Sequence, residues 1–249
     1  MTRSTLLILI VLNCFAYSLA AAQTDETSSN SPAAETSKEK IGQTLPTAKT
    51  TGMPIYITPY YNVEGLQIDA GPYSDEMASA TEDSIVELAT KMKADWAVLS
   101  VEAMYVLSIR LYDLGHKDDS VYWFYSSQFR ARLLRSALKE DSIGSMGSEG
   151  FERIQAHGSF QQLAGQYING YGFGELDKLQ KTIREVISES ATIPQFRTIY
   201  PKLEFCDSEL WPDKSKEIGT GLKKLLDHIE SNAEEIKAAR KKNGIEGKY

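Results

Sequence analysis

Four aromatic residues in a row, Tyr122-Trp123-Phe124-Tyr125, stand shortly after Gly115 in the stretch LYDLGHKDDSVYWFYSSQFRARLL. Helical residues step by about 100°, so the four rings cover roughly 300° of a helix circumference. A helix with a single apolar face cannot bury them all; one enclosed by neighbours can. The run therefore predicts a helical array with this segment at its centre, packed on the helix before it and on others later in the chain.

The surrounding periodicity supplies those neighbours. Ile85, Leu88, Ala89 and Met92 recur at helical spacing and predict an amphipathic helix over residues 81–95. Ser100 is placed to cap a second helix carrying Met104, Leu107, Ser108 and Leu111, which Gly115 ends. Asp118 or Asp119 is expected to cap the third, which runs to about Lys139, and the short connection makes the two an antiparallel pair. A loop follows at 141–150. Helical segments are expected at 151–156 and 160–173, broken at Gly158 and again at Gly170, Gly172 and Gly174. Another helix carries Leu176 to Ile187, and a last one spans about 214–242. The Pro- and aromatic-rich stretches 53–76 and 192–213 are expected to be extended. The fold class is thus mainly α, an irregular antiparallel helical array.

The first residues combine Arg3, an apolar run from Leu6 to about Ala20, and small residues at Ala20 to Ala22. That is the layout of a cleavable export signal over 1–22, and the run is shorter than the roughly 20 apolar residues of a membrane span. Residues 23–52 are rich in Ser, Thr, Ala and charge and carry no aromatic residue, as a linker does. One domain, 53–249, remains, and the expected location is periplasmic or secreted. Cys14 offers a competing lipoprotein reading, but Asn13 precedes it where such signals carry a small residue. With Cys14 removed, Cys206 stands alone, is expected in the core, and has no disulfide partner.

The formal charge is −7, and one unit more negative without Arg3. Phosphate backbones and anionic lipid heads repel such a chain, so nucleic acid is not expected as a partner and a basic protein surface is. No catalytic motif stands out. His116, His157 and His228 lie far apart and form no metal-binding pattern. GSMGSEG, residues 144–150, follows a helix and lacks the lysine of a phosphate loop. His157-Gly158-Ser159 with Asp118-Asp119 is a triad only on paper, since no G-x-S-x-G elbow exists. No catalytic residue, cofactor or metal is predicted.

Met104, Leu107, Ser108, Leu111, Gly115, Ser120, Phe124 and Ser127 fall in the register of one tetratricopeptide or Sel1-like repeat, which the hairpin 104–132 resembles. It departs at Arg132, where the family has Pro, and at the two serines, where Ala is usual. The resemblance implies that Glu102, Tyr105, Ile109 and Tyr112 face a groove and bind a protein. The other reading of the tyrosines is packing under a further helix. The functional expectation is an exported helical protein-binding module, an immunity or inhibitor protein being one concrete form; a cell-wall-directed hydrolase is the alternative.

Overall fold

A computed structural model describes residues 70–249, all within one compact unit. The export signal, the linker and the first part of the extended arm, 53–69, lie outside the described residues. Among the described residues nine α-helices follow one another: α1 (Ser74–Ser79), α2 (Glu82–Ala94), α3 (Val101–Asp113), α4 (Lys117–Ala137), α5 (Glu149–Gly172), α6 (Leu176–Glu189), α7 (Phe196–Ile199), α8 (Trp211–Ser231) and α9 (Ala233–Lys242). Among the described residues the only β pairing is an isolated antiparallel bridge between Leu138 and Phe205. The protein is mainly α, a helical array, as its periodicity predicts.

The local chemistry explains most boundaries. Thr81 and Ser84 form a capping box at the start of α2. Ser100 accepts the Ala103 amide at 3.1 Å and starts α3. Gly115, at φ +90°, turns the chain from α3 into α4 in a conformation that costs glycine little.

Helix α4 sits at the centre, packed on α3, α5, α6 and α8. Tyr122, Trp123, Phe124 and Tyr125 are each less than 10% exposed, and Phe124 is wholly enclosed. Where α3 crosses α4, Ser108, Ser120 and Ser127 are fully buried small residues that let the backbones approach. The Ser108 hydroxyl donates to the Ser120 carbonyl at 3.1 Å and the Ser127 hydroxyl to the Trp123 carbonyl at 2.6 Å.

Several expectations need correction. Asp118 and Asp119 do not cap α4; they lie in its first turn, behind His116. Gly158 does not interrupt α5, which runs unbroken to Gly172, because tertiary packing outweighs the modest helical penalty of glycine. Gly165 is where α5 meets the Phe124 ring, and a Cβ there would stand 3.3 Å from Phe124 Cζ. The last helix is two helices parted at Asn232, whose side-chain amide donates to the His228 carbonyl at 2.8 Å and competes with the helical ladder. Residues 74–76, 196–199 and 211–213 are helical inside stretches expected to be extended. Cys206 is half-buried, not a core residue.

Candidate functional site

Helix α3 places Glu102 in its first turn, facing α5, and the carboxylate is 6% exposed. Three donors converge on it. Arg153 Nη1 and His157 Nε2, one turn apart on α5, each reach Oε1 at 2.9 Å. The Tyr200 hydroxyl, just past α7, donates to Oε2 at 2.9 Å and accepts the Val101 amide at 2.8 Å. Burial alone would raise the Glu102 carboxyl. The His157 hydrogen bond and the charges of His157 and Arg153 outweigh it and hold the carboxyl down at about 2. Burial and the neighbouring Glu102 charge push the Tyr200 phenol well up.

Arg153 bridges outward from this cluster. Its Nε and Nη2 donate to Glu149 Oε1 at 3.0 and 2.8 Å, and its guanidinium stacks 4.7 Å from the Tyr200 ring centroid. The arrangement opens into a cleft of about 460 Å³ between α5, the 95–100 segment and the start of the described chain. Its charged lining is Asp95, Glu102, Glu149, Glu152 and Arg153, with Tyr73, Val98, Leu99, Ala156, Phe160 and Ile199 among the apolar walls. Arg153 is already shared by two carboxylates, so Asp95 and Glu152 leave the cleft net negative. Tyr73 donates a short hydrogen bond to Asp95; burial, then that bond, raises the phenol to about 12.

Of the residues expected to form a binding strip, Glu102 and Tyr105 are buried and Ile109 and Tyr112 half-buried. The face they share is covered by α5 of the same chain. Tyr105 stacks on Phe160 at 5.0 Å between ring centroids, meets Phe124 edge-on at 5.9 Å, and accepts from Gln161 Nε2 at 3.2 Å. Tyr112 meets Tyr167 edge-on at 6.5 Å. Only Glu102 reaches the cleft, so the strip as drawn from spacing is not an open surface. Tyr105 and Tyr112 follow the other reading, packing under a further helix, and that helix is α5.

Arg153, His157 and Tyr200 were not foreseen as Glu102 partners. The available signal was a carboxylate on the same helix face as Tyr105, which needs a buried counter-charge from somewhere. Sequence spacing cannot say that the counter-charge comes from α5. The paper triad does not assemble: His157 holds Glu102, whereas Asp118 accepts from Tyr171 and pairs with Lys178. Among the described residues no group of three or more His, Cys, Asp or Glu could hold a metal ion. No helix among them is long and apolar enough to cross a membrane. Chemically, Glu102 is ionised and its oxygens are occupied, which suits it to hold the cleft wall in shape. It carries no proton to give as a general acid near neutral pH.

Comparison with known proteins adds a distant likeness. The chain is 25% identical over 183 residues to an uncharacterized protein of Haemophilus influenzae, covering 72% of this chain and 67% of that protein. No family model and no solved structure matches.

Proposed function

We propose that this is an exported binding protein whose acidic cleft receives a basic segment of a protein partner. The observation that carries the reading is the charge of the cleft: four carboxylates and one guanidinium line it, and that guanidinium is neutralised from both sides by Glu102 and Glu149. A lysine or arginine entering it would lay its alkyl stem along Val98, Ala156 and Ile199 and present its charge to Asp95 and Glu152. The Glu102 cluster keeps the walls in place before the partner arrives, so little ordering cost falls on binding. An inhibitor or immunity protein against a basic toxin is a concrete form of this activity.

The test is capture from the organism's own envelope fraction with the mature chain and with its Glu152→Lys variant. A stoichiometric basic partner retained by the first and lost from the second supports the reading. Equal retention by both, or activity on cell-wall polymers with no partner, contradicts it.

A further inference from the structure

Behind the 95–100 wall of the cleft, Arg130 of α4 is enclosed, 2% exposed. Its Nη1 donates to the Leu99 carbonyl at 2.8 Å, and its guanidinium lies 4.5 Å from the Trp96 ring centroid. Its Nη2 has no hydrogen-bond partner among the described residues. Neither has the Oγ of Ser126, which is 1% exposed and one turn earlier on the same face of α4. Both residues line one small cavity of about 10 Å³, walled also by Trp96, Glu189, Ser190 and Pro194.

Unpaired buried donors are uncommon in folded proteins, and two sharing one space mark it as a place for a ligand. Charge narrows the choice. The groups that Arg130 meets directly, a carbonyl and an indole ring, are neutral. Glu189, the one carboxylate on the wall, is already held by Lys93 at 3.1 Å and by the Tyr122 hydroxyl at 2.5 Å. Burial lowers the guanidinium to about 10, which still leaves it charged at neutral pH. Water would satisfy the hydrogen bonds but not the charge, and buried charges are normally paired. The volume suits one small particle.

We propose that this cavity binds a single small monovalent anion of the chloride class, held by the Arg130 Nη2 and the Ser126 hydroxyl. The ion would tie α4 to the 95–100 and 190–195 segments, which already meet through the Gln195 amide and the Ala97 carbonyl at 2.8 Å. It is independent of what enters the cleft.

The experiment is thermal unfolding of the full mature chain in sodium chloride and in sodium gluconate at equal ionic strength. Chloride should raise the melting temperature beyond gluconate by about 3–5 °C per tenfold concentration once the site fills. Ser126→Ala, an easy change within a helix, should weaken the apparent chloride affinity about tenfold, and Arg130→Met should abolish the increment. Should Arg130→Met fail to fold, Ser126→Ala still decides. Equal rises in the two salts would overturn the proposal and assign the cavity to water. A chloride-specific rise unchanged in Ser126→Ala would overturn it too, by placing the ion elsewhere.

Discussion

Helix α3 has two unlike faces. Toward α4 it is dry: Met104, Leu107 and Leu111 are fully buried, and the Ser108 and Ser127 hydroxyls at the crossing bond to backbone carbonyls of α4. Toward α5 it carries an ionised carboxylate and a phenol in a hydrogen-bonded network that opens on a cleft. The dry face gains from area buried and close packing, which tolerate no lost volume. The polar face holds charges out of water and keeps them only because each has partners. Both faces therefore contribute to stability, the first through packing alone and the second through packing and paired charges, and only the second opens on the cleft.

The largest effects belong to two wholly enclosed rings, one on α4 and one on α3. Phe124→Ala removes a wholly enclosed ring at the centre of the array and should cost about 3–5 kcal/mol in denaturant unfolding. On the polar face, Tyr105→Ala should also cost about 3–5 kcal/mol, because its ring is stacked on Phe160 and meets Phe124. A Tyr105 variant with an unchanged melting temperature would mean that α5 does not cover this face, and would dissolve the contrast.

Acid separates the two faces. The folded Glu102 carboxyl lies at about 2 against an ordinary 4.5. Its contribution is complete above pH 4.5 and is lost as the pH falls from there toward 2. That contribution is on the order of 3 kcal/mol. Glu102→Gln should lose it at neutral pH and flatten the stability profile between those values, whereas Phe124→Ala should lower the profile without changing its slope. Equal slopes in wild type and Glu102→Gln would contradict the assigned network.

The smallest effect is expected on α6, whose buried residues, Leu176, Leu179, Ile183 and Val186, form one stripe. Lys181 lies exposed on the other side, and Lys181→Ala should change stability by less than about 0.5 kcal/mol.

Periodicity made the dry side readable in advance. Helical spacing located α2, α3, α4 and α6, Ser100 marked a cap, Gly115 marked a turn, and four adjacent rings demanded a central helix. Where packing overrides propensity, the same reasoning misled: Gly158 was expected to break α5, and Asn232 was not expected to divide the last helix. The candidate site was legible only as a face. Glu102 and Tyr105 were correctly placed together, since helix geometry alone fixes that. Their partners come from α5 and from the residue after α7, and no local rule links positions so distant along the chain. Cys206 shows the same limit, because burial at a bend near the Leu138–Phe205 bridge depends on tertiary pairing.

The central functional claim is that the cleft beside Glu102 accepts a basic segment, and NMR titration of the mature chain with a short lysine-rich peptide tests it most directly. Amide shifts should be confined to residues 95–103 and 149–156, weaken with added salt as a charge contact does, and vanish in Glu152→Lys, while a glutamate-rich peptide of equal length leaves the spectrum unchanged. Shifts scattered over the acidic surface, or an equal response from the Glu152→Lys variant, would contradict the claim.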